Sequence, residues 1–125
     1  MATAHAQRPA ATAAAVLSKA AVRAAGLLRI RQSELAAIIG VSAAVVSRVA
    51  AGGQLPSTGK TLELATLFVR VFRSLDAIVG GEEAVAATWL RQVNTALGGK
   101  PIDTLKTITG LTSTLAYLDA RRALV

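Results

Sequence analysis

The sequence contains no cysteine and a single histidine, His5. Their scarcity excludes zinc fingers, thiol chemistry and any metal site built on two histidines, so we expect neither metal nor cofactor. Aromatic side chains make up 3% of the chain, too few for a surface that stacks the bases of single-stranded nucleic acid. No uninterrupted apolar run approaches the roughly twenty residues of a membrane helix, and we expect no membrane partner.

Acidic side chains are nearly missing from the first half. Through residue 60, seven basic residues meet one acid, Glu34, whereas seven basic residues meet six acids from residue 61 onward. The net charge of +7 is therefore concentrated in the first half, which predicts a polyanionic partner there, nucleic acid before a membrane surface. Residues 1 to 33 lack acids, as transit peptides do. A structural helix is favoured because apolar positions recur there at helical spacing: Val16, Ala20, Arg23 or Ala24, Leu27 and Leu28.

The rest of the sequence predicts an all-α protein, because helix-forming residues dominate and no stretch alternates with period two. The glycine-rich stretch 52–59 breaks any helix and divides the chain into two modules, 1–59 and 60–125. An apolar stripe that includes Phe68, Val71 and Leu75 marks the helix after this break as the spine of the fold. We expect helices at about 12–28, 32–39, 43–51, 60–79 and 82–92, a short one after Pro101 and a last one at about 111–123.

Residues 32–51 have the steric pattern of a helix-turn-helix. Ala36 falls where two helices touch, Gly40 falls at the sharp turn that requires a positive φ, and Ser42 precedes the second helix as its cap. The positions expected to be buried are Leu35, Ile39, Val41, Val46 and Val49. The segment resembles the Xre type of helix-turn-helix, including its Val46-Ser47-Arg48 sequence. Two packed helices with an alanine-rich exposed face are the alternative interpretation.

In a helix-turn-helix the second helix enters the major groove of double-stranded DNA. Arg48 is the one side chain there that can make a bidentate contact to guanine, whereas alanines offer at most contact with a thymine methyl group. Because a single groove contact is rarely sufficient, we expect a homodimer that binds operator DNA with its recognition helices about 34 Å apart. The residues expected to face bases are Ser42, Ala43, Ala44, Ser47 and Arg48. Those expected to contact phosphates are Arg29, Arg31, Gln32 and Lys60.

The stretch from Gly53 to Thr61 ends like a phosphate-binding P-loop. A P-loop has four residues between its two glycines and follows a strand, whereas here five residues separate Gly53 from Gly59 and a helix precedes them. Nucleotide binding is therefore disfavoured. Ser57 or Thr58 is expected to cap the following helix.

The second half carries an ordered set of short motifs. They are Trp89-Leu90, Asn94, Leu97-Gly98-Gly99, Pro101-Ile102-Asp103 followed by Leu105, and Gly110. In this order they resemble the toxin-binding domain of the Xre/MbcA/ParS antitoxin family. The resemblance implies a cytoplasmic bacterial antitoxin of a type II toxin-antitoxin system, nucleoid-associated when DNA-bound, that represses its own operon. Its partner would be a RES-domain toxin, which consumes NAD or uses it for ADP-ribosylation.

The same resemblance implies the residues that contact the toxin. They are Trp89, Asn94, Leu97, Gly98, Gly99, Lys100, Asp119, Arg121, Arg122, Leu124 and Val125. The segment 119–125 would cover the NAD pocket of the toxin. The residues themselves also allow a structural interpretation, with Trp89 as a core aromatic and the two glycines as a plain turn.

No constellation of histidine, cysteine or carboxylate groups suggests catalysis, so we expect no enzymatic activity. Glu82 and Glu83 point apart in the first turn of a helix and complement its dipole. A different class of function stays open, a stand-alone transcription regulator whose second half dimerises or senses a ligand.

Overall fold

The computed structural model describes the backbone of residues 2–124 and the side chains of residues 13–124. Between residues 2 and 124 it contains no β-strand, and the predicted all-α class is confirmed. The helices are α1 (Ala2–Leu27), α2 (Gln32–Ile39), α3 (Ala43–Ala50), α4 (Lys60–Ile78), α5 (Glu83–Arg91), α6 (Pro101–Thr104) and α7 (Ile108–Arg122).

Two helices begin earlier than their periodicity predicted. Helix α1 begins at Ala2, because the alanine-rich segment before its amphipathic part also favours helix. Helix α7 begins at Ile108, where the Thr107 hydroxyl accepts a hydrogen bond from the Gly110 N–H at 3.0 Å. The predicted cap of α4 by Ser57 or Thr58 is wrong, since Gly59 occupies the N-cap position without a side-chain hydrogen bond.

Helix α1 packs through its small residues. Its buried apolar positions include Ala21, Ala24 and Leu28, whereas Val16, which the sequence placed on the apolar stripe, is 59% exposed. Alanine side chains allow neighbouring helices to approach closely, so the buried face follows the alanines rather than the larger valine. Ser18 lies on this face, donates to the Ala14 carbonyl and accepts a hydrogen bond from the Leu55 N–H at 2.9 Å. The loop after α3 is thereby attached to α1.

Helix α4 is the spine of the molecule, as its apolar stripe predicted. Phe68, Val71 and Leu75 are fully buried in a core that α1, α2 and α3 enclose on one side and α5, α6 and α7 on the other. Its most extensive packing is against α7, followed by α1. The division at residues 59 and 60 stays a prediction, because α4 belongs to both packing layers.

Over the described part of the chain, no individual helix has both the length and the apolar character to cross a membrane. The α2–α3 pair reaches that length and composition only in combination, and the two helices are bent by 110° relative to each other. Leu35 and Ile39 of this pair are buried in the protein core.

Candidate functional site

The turn between α2 and α3 has the geometry that the sequence predicted. Gly40 ends α2 in the left-handed conformation with φ of 74°, and Ala36 is 4% exposed at the helix contact. Ser42 caps α3 by accepting a hydrogen bond from the Val45 N–H at 3.2 Å. Of the predicted buried residues, Leu35, Ile39, Val46 and Val49 are buried and Val41 is half-buried. The predicted helix-turn-helix is therefore confirmed as a fold, with Val41 less buried than predicted.

The outer face of α3 is exposed and consists mostly of small side chains. Ala43, Ala44, Ser47 and Arg48 all point away from the core, which leaves Arg48 as the only long side chain on this face. The loop that follows α3 packs against the last turn of this helix, since the Gly53 N–H donates to the Arg48 carbonyl at 3.0 Å. A surface of this shape can approach a DNA groove closely and read few bases.

The candidate phosphate contacts lie between α1 and α2, at the start of α2 and at the start of α4. The Arg31 side chain is 74% exposed and lies 3.4 Å from Glu34, and the Lys60 side chain is 84% exposed and lies 3.4 Å from Glu63. The Lys60–Glu63 pair is exposed on both sides and contributes little to stability, so Lys60 can exchange its partner for a phosphate. In the other pair only the Arg31 side chain is exposed. Gln32, the first residue of α2, is exposed as well. Arg29 is exposed, and its backbone is left-handed with φ of 57°.

The sequence reasoning missed a buried ion pair between the two halves. Glu34 is 5% exposed, and its two carboxylate oxygens accept hydrogen bonds from the Arg91 guanidinium at 2.6 and 2.8 Å. The Arg31 N–H donates to the same carboxylate at 3.0 Å, which satisfies a free donor at the start of α2. A signal was present: Glu34 is the only acid of the basic half and occupies the third position of a helix, where a carboxylate caps the backbone.

This pairing sets the protonation of Glu34. Hydrogen bonding to Arg91 lowers its pKa from the ordinary 4.5 to about 2, burial opposes the shift, and the Arg31 backbone hydrogen bond supports it. The pKa of Arg91 is raised for the reciprocal reason. The carboxylate is therefore charged throughout the physiological range, and Arg91 compensates its charge.

The Asn94–Gly99 turn follows α5 and is closed by its own backbone. The Asn94 N–H donates to the Gly99 carbonyl at 2.9 Å, and the Gly99 N–H donates back to the Asn94 carbonyl at 3.2 Å. The Asn94 side chain accepts from the Leu97 N–H at 3.1 Å, so it holds the turn together. Gly98 and Lys100 are exposed, while Leu97 and Gly99 are half-buried. The turn therefore exposes its backbone and the Lys100 side chain to solvent, while the Asn94 side chain stabilises it by a hydrogen bond.

An open depression of about 570 Å³ lies beside this turn. The turn, α6 and the threonine-rich start of α7 line it. Gly110 is one of its lining residues, and an added Cβ atom there would overlap the Thr104 carbonyl oxygen. The helices therefore approach too closely there for any side chain, and the Thr104 and Thr114 hydroxyls join at 2.8 Å across the contact.

Trp89 lies half-buried between α5 and α7. Its ring stacks on Tyr117 with centroids 6.3 Å apart and planes inclined by 17°. The Arg121 guanidinium carbon lies 4.9 Å from the centre of the Tyr117 ring. Trp89 thus joins helices as a core aromatic does, while one part of it stays accessible.

The last predicted contacts lie at the end of α7. Asp119 accepts a hydrogen bond from Ser74 and pairs with Arg70 at 3.6 Å, so it fastens α7 to α4. Arg122 is exposed, and Leu124 is 85% exposed. Val125 lies outside the described residues. The predicted toxin-contact set therefore separates into residues that hold the fold, such as Asn94 and Asp119, and residues that face solvent.

Two family models match consecutive parts of the chain. Residues 7–70 match the antitoxin Xre-like helix-turn-helix domain. Residues 74–123 match the antitoxin Xre/MbcA/ParS C-terminal toxin-binding domain. No individual curated protein matches the sequence. Together the two models show that the chain belongs to the Xre/MbcA/ParS antitoxin family and is a type II antitoxin.

Proposed function

We propose that this antitoxin neutralises a RES-domain toxin by covering the NAD pocket of the toxin with the end of α7. The observation that carries the proposal is the contrast along this helix. Leu111, Leu115 and Leu118 are buried against the protein core, whereas Arg122 and Leu124 project into solvent. A leucine that is 85% exposed at the end of an anchored helix is suited to enter a cleft of another protein.

Inhibition of this kind needs no chemistry from the antitoxin. A side chain seated where NAD binds excludes the cofactor sterically. Asp119 holds the last turn of α7 against α4 through Ser74 and Arg70, so the end of the helix is ordered before it meets the toxin. Preorganisation reduces the entropy that binding would otherwise consume.

A truncation tests the proposal. Deleting residues 123–125 removes Leu124 and leaves Asp119 and its contacts in place. We expect the truncated antitoxin to lose inhibition of NAD consumption by a purified RES toxin, while its melting temperature changes by no more than a few degrees. Arg73→Ala, which removes an exposed side chain of α4, is the matched control. A truncated protein that still inhibits fully would contradict the pocket-covering mechanism.

We further propose that residues 1–59 bind the operator and that residues 60–125 bind the toxin, with the antitoxin acting as a homodimer. The exposed Arg48 on the small outer face of α3 supports operator binding. A two-fold dimer would present two such faces to successive major grooves. Footprinting of the promoter region should reveal two half-sites one helical turn apart. Copurification with a co-expressed RES toxin distinguishes this function from that of a stand-alone transcription regulator. A stand-alone regulator would not copurify with the toxin.

A further inference from the structure

Arg91 ends α5 in the toxin-binding half and reaches across to the helix-turn-helix. Its guanidinium group donates to both carboxylate oxygens of Glu34, and one of its nitrogens also donates to the Arg29 carbonyl at 3.1 Å. Glu34 in turn holds the backbone of Arg31. One side chain therefore fastens both ends of the segment 29–34.

This segment carries the candidate phosphate contacts Arg29, Arg31 and Gln32. Its backbone is unusual, because Arg29 adopts φ of 57°, a conformation that residues other than glycine rarely take. Such a conformation persists where surrounding contacts fix it, and here the Ile30 N–H donates to Ala25 at 2.8 Å while Arg91 binds the Arg29 carbonyl. The directions of the three side chains depend on this arrangement.

The charges around Glu34 also connect Arg91 to the candidate phosphate contacts. Glu34 is the only acid in the first 60 residues, so it is the group of this half that would repel a phosphate and hold the Arg31 guanidinium. Arg91 makes shorter contacts with Glu34 than Arg31 does, 2.6 Å against 3.4 Å. Because Arg91 satisfies the carboxylate more closely, the Arg31 side chain stays 74% exposed and can exchange its longer contact with Glu34 for a phosphate.

We propose that Arg91 is a positioning residue for operator binding: from the toxin-binding half, it orders the segment 29–34 and compensates Glu34 so that Arg29 and Arg31 can contact phosphates. This inference rests on the operator-binding role proposed above. Arg91 itself need not touch DNA.

The test uses the full-length chain with the double substitution Arg91→Met and Glu34→Gln. Removing Arg91 alone would leave a buried carboxylate unpaired and could unfold the protein, whereas the Glu34→Gln change keeps an acceptor for the Arg31 N–H. Affinity for an operator duplex is measured by fluorescence anisotropy over a series of NaCl concentrations. Because the double variant also removes the charge of Glu34, it tests the ordering of the segment 29–34 and not the charge compensation. We expect about ten-fold weaker operator binding, and the dependence of log Kd on log salt concentration should be shallower by about one phosphate contact. Affinity for the toxin should not change.

Three further variants distinguish positioning by Arg91 from a general effect of charge and from failure of the proposed operator surface. Arg73→Met removes an arginine from an exposed site on α4 and should bind the operator as wild type does, apart from a small loss of long-range attraction. Arg91→Lys keeps the charge without the forked geometry and should recover only part of the affinity. Full recovery by lysine would assign the effect to charge and overturn positioning. Arg31→Ala tests the underlying operator role.

If Arg31→Ala weakens operator binding and the Arg91→Met/Glu34→Gln variant does not, the inference on Arg91 fails while the proposed function stands. If Arg31→Ala and Arg48→Ala both bind the operator as tightly as wild type, the proposed operator surface itself is wrong.

Discussion

The hydroxyl of Ser74 on α4 donates a hydrogen bond to the Asp119 carboxylate on α7, although the two residues lie 45 positions apart. Ser74 is 2% exposed, and its polar group would be costly to bury without this partner. The bond therefore fixes the end of α7 over the spine of the fold. Residues beyond it, Arg122 and Leu124, extend from a rigid base rather than from a free tail.

Arg48→Ala should weaken operator binding and flatten its sequence preference. A bidentate arginine contact to guanine discriminates by about 1–3 kcal/mol, and α3 offers no second long side chain to replace it. The measurement compares the affinity of both proteins for the operator and for a set of single-base variants. Inhibition of the toxin should be unchanged, since Arg48 lies in the other half. A loss of toxin inhibition would show that operator binding and toxin inhibition are not separated between the two halves.

Gly40→Ala should lower the free energy of unfolding by about 1–2 kcal/mol, because an L-residue at φ of 74° is strained. Space is sufficient, since the added Cβ would lie 3.5 Å from the nearest atom of Leu64. Gly26→Ala is the matched control. Gly26 lies inside α1 with no heavy atom within 4 Å of the added Cβ, so alanine should stabilise the protein by about 0.5–1 kcal/mol. Urea unfolding of both variants measures the two effects, and equal shifts would contradict the turn geometry.

The sequence predicted the helices and the helix-turn-helix well because both depend on local rules. Gly40, Ser42 and the apolar spacing of α2 and α3 each report on residues within a few positions of themselves. The buried face of α1 was predicted less accurately, since alanine is too small to reveal by periodicity which side packs inward. Val16 illustrates this point, because its size suggested burial and the structure exposes it.

The sequence selected residues of the candidate site but did not predict the structural roles of their side chains. Asn94 and Asp119 were assigned to the toxin surface, and whether either touches a toxin stays a prediction. The structure uses both side chains to hold the fold. The Glu34–Arg91 pair joins residues 57 positions apart, and no local pattern predicts which arginine meets the lone acid. Such contacts follow from the tertiary packing of helices that the sequence specifies only one at a time.

The ion pair should make stability depend on acidity in a defined range. Since the pKa of Glu34 is about 2 when folded and ordinarily 4.5, the charged carboxylate stabilises the fold above pH 4.5. This contribution is lost as the pH falls from 4.5 through about 2. We expect Glu34→Gln to be less stable than wild type by about 2 kcal/mol at neutral pH, allowing for solvent screening at the partly exposed Arg91, and the gap to close near pH 2.

Urea unfolding at several pH values between about 2 and 7 measures that gap. Glu63→Gln removes an exposed acid of α4 and should stay within about 0.5 kcal/mol of wild type at neutral pH. A gap for Glu34→Gln that is constant with pH would show that the carboxylate is not specifically stabilised by Arg91.

The stack of Trp89 on Tyr117 can be followed directly, because Trp89 is the only tryptophan of the chain. Tyr117→Leu keeps an apolar side chain but removes both the aromatic stack and the contact with Arg121. We expect a loss of about 1 kcal/mol of unfolding free energy, since aromatic pairs contribute about 0.5–1.5 kcal/mol beyond their buried area. The emission maximum of Trp89 should move to longer wavelength as its ring becomes more exposed to water. Arg121→Lys preserves the stack and should leave the emission unchanged, whereas an unshifted spectrum in Tyr117→Leu would mean that α5 and α7 do not meet through these rings.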